Sequence, residues 1–199
     1  MPFDLPQFMF AHFNRVDFGG DLFGQWPFGI RFEIGFKQVD RAEETFHAAF
    51  AKETDCVLVS QDWDTGISPA TKFTQLFATP GIFPIEPTEV QSLRVSPFDE
   101  TPYRLSWTRT SPLDFNAAAM FKGIANREQK GSPKISSGVY AIQPSTKIIM
   151  QMYDDRGLDV IAVDVDQIRP LFQCFRDWIL DNQRHRIESR FNTAADASK

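Results

Sequence analysis

Residues 152–162 read MYDDRGLDVIA, and the six positions from Asp154 to Asp159 hold three carboxylates and the guanidinium of Arg156. Clustered carboxylates offer two kinds of chemistry: they can hold a hard cation, or act as acid and base beside a cation that stabilises charge. A hard cation takes six or more oxygen ligands, so Asp62 and Asp64 at the end of another expected strand would have to join the cluster. A second reading needs no chemistry. Asp and Gly are turn formers, and Gly157 in the left-handed conformation would close a three-residue hairpin with Asp154 and Asp155 bonded to local N–H groups. A third reading makes the stretch a partner-binding corner, with Tyr153 before the turn and an outward Asp159 after it.

Arg31 and Glu33 raise the same choice. They lie in PFGIRFEIG, where Phe28, Ile30, Phe32 and Ile34 alternate with Gly29, Arg31, Glu33 and Gly35. That period of two is a strand with one buried face, and the charges lie on the other. Either that face is solvated, or it is a polar groove that glycines leave open to another chain. If the corner of Tyr153, Asp154, Asp155, Arg156 and Asp159 faces Arg31 and Glu33 across a sheet, these residues make one site. If it points into solvent alone, it is a turn.

Other residues capable of chemistry are dispersed. His12, His47 and His185 fall on three separate expected helices, with no ligand at metal spacing. Cys56 and Cys174 sit in apolar surroundings and read as free, buried thiols of a reducing compartment. No Walker A, GxSxG, HExxH or dinucleotide-binding glycine pattern occurs. No catalytic residue, cofactor or metal is assigned.

The elements that must position these residues follow from periodicity. DLPQFMFAHFNRV is a short helix capped by Asp4, with Phe8, Met9, Phe10 and Phe13 all around it, so it is expected to be buried. Residues 37–53 form an amphipathic helix, CVLVSQDW a strand, and residues 68–78 a helix opened by Ser68 and Pro69. Residues 80–102, with five prolines, read as irregular with a helical piece near 87–93. YRLSWTR is a strand, and DFNAAAMFKGIANRE a helix capped by Asp114. GVYAIQ, KIIMQMYD and LDVIAVD, joined by short turns, make an antiparallel meander. A long helix follows, expected to start near Pro170. The order implies a single α+β domain over residues 1–191, a mainly antiparallel sheet of five to six strands with helices packed on it, and a disordered tail at 192–199.

The chain of 199 residues is long enough to build a core without disulfides, and 20 Phe imply that aromatic packing fills it. A net charge of -5 disfavours nucleic acid and suits a basic protein partner. MPFDLPQFMF lacks a basic stretch followed by an apolar run, and no apolar stretch reaches 18 residues, so neither a signal peptide nor a membrane contact is expected and a cytoplasmic place is.

PFGIRFEIG, MYDDRGLDVIA and IRPLFQCFRDWILDNQR, in that order, resemble a bacterial family catalogued as domain of unknown function 3885, over residues 1 to about 191. The resemblance implies a small cytoplasmic α+β protein and carries no activity, cofactor or catalytic residue. The function expected is therefore a non-enzymatic interaction protein, in one version an immunity protein that neutralises a basic toxin. The competing expectations are a small hydrolase or metal-assisted enzyme using Asp154, Asp155 and Arg156, and a small-ligand sensor.

Overall fold

The computed structural model describes residues 3–50, 55–63, 89–95, 102–129, 131–132 and 134–196. The elements in chain order are α1 (Leu5–His12), α2 (Leu22–Gln25), β1 (Gly29–Glu33), α3 (Asp40–Phe50), β2 (Cys56–Trp63), β3 (Glu89–Val95), β4 (Pro102–Thr110), α4 (Ala117–Ala125), β5 (Gly138–Gln143), β6 (Ile148–Met152), β7 (Gly157–Ala162), α5 (Val165–Cys174) and α6 (Asp181–Asp196). Single 3₁₀ turns precede α3 (Phe36–Gln38) and α6 (Arg176–Trp178).

All seven strands form one antiparallel sheet in the order β1-β7-β6-β5-β2-β4-β3. The α+β class and the C-terminal meander stand as expected, with one more strand than the sequence indicated. That strand is β3, in the stretch read as irregular with a helical piece. Pro87 and Pro97 flank it in the sequence and argue against a strand, and a register shift between Gln91 and Arg94 breaks the alternation that would have marked it. The helix expected at 68–78 lies outside the described residues.

The alternation of β1 sorts its side chains as the period predicts. Ile30, Phe32 and Ile34 enter the larger core, between the sheet and α3 to α6. There Phe46 stacks on Phe50 at 4.5 Å and meets Phe115 and Phe121 edge-on, so one ring organises two helices. The other face carries Val57, Val59, Tyr103, Leu105, Trp107, Tyr140, Ile142, Ile149 and Ile161, covered by Leu5, Met9, Phe13, Val16, Phe18 and Leu22 of the N-terminal segment. Both faces of the sheet are thus covered.

Several local expectations change. The α1 helix is buried on one side only, and Phe10 is 81% exposed. Asn116, not Asp114, caps α4 by accepting from Ala119 N–H at 2.9 Å. The expected long helix is two: α5 starts at Val165 behind its Asp164 cap with Pro170 in its interior, and α6 begins after the 3₁₀ turn. Between them Ile179 bridges Phe32, and Leu180 N–H donates to the Arg31 carbonyl, which covers the β1 edge. The α6 helix runs to Asp196, taking in residues 192–196 of the stretch expected as a tail. Cys56 is buried, but Cys174 is exposed. Among the described residues no helix is long and apolar enough to cross a membrane.

Candidate functional site

Antiparallel register sets the site. β1 places Arg31 opposite Asp159 of β7, Asp159 lies opposite Gln151 of β6, and Gln151 opposite Tyr140 of β5. Residues abreast in a sheet share a face. These four polar side chains therefore form a row across four strands, on the face covered by the N-terminal segment.

The pair at the edge is the tightest part of the row. Arg31 Nε donates to Asp159 Oδ1 at 2.7 Å, and Nη2 donates to Oδ2 at 2.7 Å, a two-pronged pairing that fixes both planes. Phe23 N–H gives Oδ2 a further bond at 3.2 Å, and Asp21 accepts from Arg31 Nη2. Asp159 is 1% exposed. Burial by itself would lower the Arg31 guanidinium, but the hydrogen bonds and charge of Asp159, then the charge of Asp21, outweigh it and hold Arg31 above its usual value. Burial pushes the Asp159 carboxyl above its usual range, against the pull of Arg31.

Tyr153 lies over this pair. The Arg31 guanidinium carbon is 5.2 Å from its ring centre and 5.1 Å from that of Phe23. Burial raises the Tyr153 phenol to about 12, with Arg31 opposing. Arg31, Asp159, Tyr153 and Gln151 line a concave pocket of about 500 Å³, rimmed by Gly20, Asp21, Leu180 and Arg156.

The turn itself serves the backbone. Asp154 Oδ1 accepts from Arg156 N–H at 2.8 Å and its Oδ2 from Arg156 Nε at 2.8 Å. Asp155 accepts from Gln129 Nε2 at 3.0 Å. The Arg156 side chain is 80% exposed and reaches the pocket rim. Arg127 braces the turn from the helix side, donating to the carbonyls of Tyr153 (3.1 Å), Ile135 (3.1 Å) and Ser137 (2.6 Å).

Gly157 is needed for a different reason from the one expected. Positive φ among the described residues occurs at Lys147 and Gly35, not at Gly157. A Cβ on Gly157 would collide with the Tyr153 hydroxyl, and would sit 2.6 Å from Tyr153 Cζ and 3.0 Å from the Phe32 carbonyl oxygen. The glycine provides room for Tyr153, and no left-handed turn is involved.

The residues singled out from the sequence therefore divide. Arg31, Tyr153, Arg156 and Asp159 meet at one pocket. Asp154 and Asp155 are spent on the turn and on Gln129. Glu33 is exposed beside Gly157 and does not join the pocket lining. Asp62 does not approach the cluster; buried, it accepts from Ser60 and Ser137 hydroxyls, and Asp64 lies outside the described residues. Among the described residues no group of three His, Cys, Asp or Glu converges on one point. Sequence reasoning missed Asp21, Phe23, Gln151 and Leu180. Only Gln151 had a signal, its even spacing from Ile149 along β6.

This geometry belongs to a sheet-edge pocket in an α+β domain. The chain belongs to the family described as Domain of unknown function (DUF3885), whose model matches residues 5–183. It is also similar to the uncharacterized protein YnaE of Bacillus subtilis (strain 168), at 32% identity over 74 residues, which cover 34% of this chain and 35% of that relative. The chain thus matches about a third of the relative's length. No solved structure shows a significant match.

Proposed function

We propose that the protein is a non-enzymatic protein-interaction protein of the cytoplasm, and that the pocket of Arg31, Tyr153, Arg156 and Asp159 is where its partner docks. The observation that carries this reading is that the charges of the pocket are already paired: Asp159 with Arg31, Asp21 with Arg31, and Arg156 with Asp154. A general base or nucleophile must be left free to react. Here the groups are fixed donors and acceptors, which suits recognition and disfavours a hydrolase built on Asp154, Asp155 and Arg156.

The partner class we propose is a basic protein, in the specific version a toxin that this chain neutralises. The net charge of -5 supports it through complementary fields, which speed encounter and discriminate partners. Co-expression in the host with a toxin encoded next to the gene tests this version. Wild type restores growth, and Arg156→Ala weakens protection at unchanged protein level. Growth arrest despite wild-type protein, or the absence of any neighbouring toxin gene, overturns it. A small polar ligand is the second reading, favoured by a pocket volume within the range of small-molecule sites. It predicts a soluble compound that raises the melting temperature of the full chain.

A further inference from the structure

Beside Phe23, the α6 helix brings up two arginines that have no carboxylate partner among the described residues. The guanidinium carbons of Arg186 and Arg190 lie 4.8 Å and 5.5 Å from the Phe23 ring centre, and that of Arg31 lies 5.1 Å from it. One buried ring thus carries three cations. Arg31 is neutralised by Asp159 and Asp21. The remaining pair stands one helical turn apart on the same face, a like-charge spacing that destabilises a helix. The other arginines of this part of the chain are matched: Arg176 with Glu188, Arg184 with Asp181 and Arg169 with Asp166.

Two facts mark the unmatched pair as built to meet something. Arg190 Nη1 is buried with no hydrogen-bond partner among the described residues. A buried donor left unbonded carries a desolvation cost. Arg190 is also held below its usual value, by burial first and by the Arg186 charge second. Arg186 is exposed, so the pair is open to solvent on one side. Cation–π contact with Phe23 holds both guanidinium groups near its ring but supplies no acceptor.

We propose that Arg186 and Arg190, seated on Phe23, form a binding site for a small phosphate-class oxyanion. Paired guanidinium forks match the tetrahedral oxygens of phosphate, and charge-assisted bonds are the strong ones. The bound anion accepts from the exposed fork of Arg186 and from the open side of the Arg190 guanidinium, and cancels the like-charge repulsion. The site is distinct from the partner pocket, whose Arg31 and Arg156 already hold carboxylates. It does not depend on the interaction reading.

The test is titration of the full chain with sodium phosphate against sodium chloride at matched ionic strength, following the melting temperature and the ³¹P line width. The expected result is a saturable rise in melting temperature with phosphate beyond that with chloride. Arg186→Gln, an exposed change that leaves the fold intact, weakens binding roughly tenfold or more, the size expected for one charge-assisted bond. Arg190→Gln does the same, and Arg184→Gln, whose guanidinium serves Asp181, binds as wild type. A phosphomonoester that outcompetes inorganic phosphate assigns the ligand to a phosphorylated molecule, and the reverse order assigns it to the free ion; either supports the site. No saturable response, a response unchanged in Arg186→Gln, or acetate binding as tightly as phosphate overturns it.

Discussion

The Arg31–Asp159 pair stabilises mainly in the sense that neither partner can be removed alone. Breaking a buried pair strands the other charge, whereas replacing both with apolar groups is often neutral. Arg31→Met is expected to cost about 3–5 kcal/mol in urea denaturation, and Arg31→Met with Asp159→Leu to cost much less than the single change. Additive costs would contradict the pairing. Tyr153 makes a prediction in pH. Its folded phenol titrates at about 12, against 10.0 for the free group, so between those values the folded chain keeps a proton that the unfolded chain has released. Stability therefore falls as pH rises from about 10 to 12. Tyr153→Phe removes its share of that fall, leaving the share of Tyr140, whose phenol burial also holds above the usual range. An alkaline stability profile identical in the variant would sink the argument. Arg31, Tyr153 and Asp159 were legible as polar breaks in apolar runs. Their partnership was not, because it is created by the non-local pairing of β1 with β7, between segments about 130 positions apart.

At the scale of elements, the hairpin between β6 and β7 was legible and its mechanism was not. Turn residues announce a turn from sequence alone, but whether a glycine is present for its backbone angle or for the space it leaves depends on what packs over it. Tyr153 packs over Gly157. Gly157→Ala is accordingly expected to cost about 1–3 kcal/mol, the range of overpacking. Tyr153→Ala in the same chain should recover part of that loss, since the ring that crowds the new methyl is gone. No recovery would mean that the Phe32 carbonyl is the limiting contact. The strand β3 was missed for the opposite reason: its proline-rich flanks outweighed a weak alternation. The break between α5 and α6 was hidden because one apolar stripe, Leu171 to Ile187, runs through both helices and the 3₁₀ turn between them.

Across the whole molecule, one antiparallel sheet divides the labour. The helical layer and its Phe-rich core hold the strands in register, and the N-terminal segment lays Asp21 and Phe23 against the charged edge of the opposite face. The fold class was readable because period two and period 3.6 alternate clearly along the chain. The pocket was only partly readable, since Gly20, Asp21 and Leu180 of its lining come from a glycine-rich loop and a helix junction with no periodic signal of their own. If an acidic surface steers a basic partner, the association rate should fall as ionic strength rises, while dissociation changes little. The claim that the β1–β7 corner is the docking site is tested most directly by partner affinity in Arg156→Ala. That side chain is 80% exposed, so the melting temperature should hold while affinity drops tenfold or more, the scale of an interface residue worth above about 1.4 kcal/mol. A variant that keeps both its melting temperature and wild-type affinity, together with a Tyr153→Ala variant that also binds normally, would contradict the account.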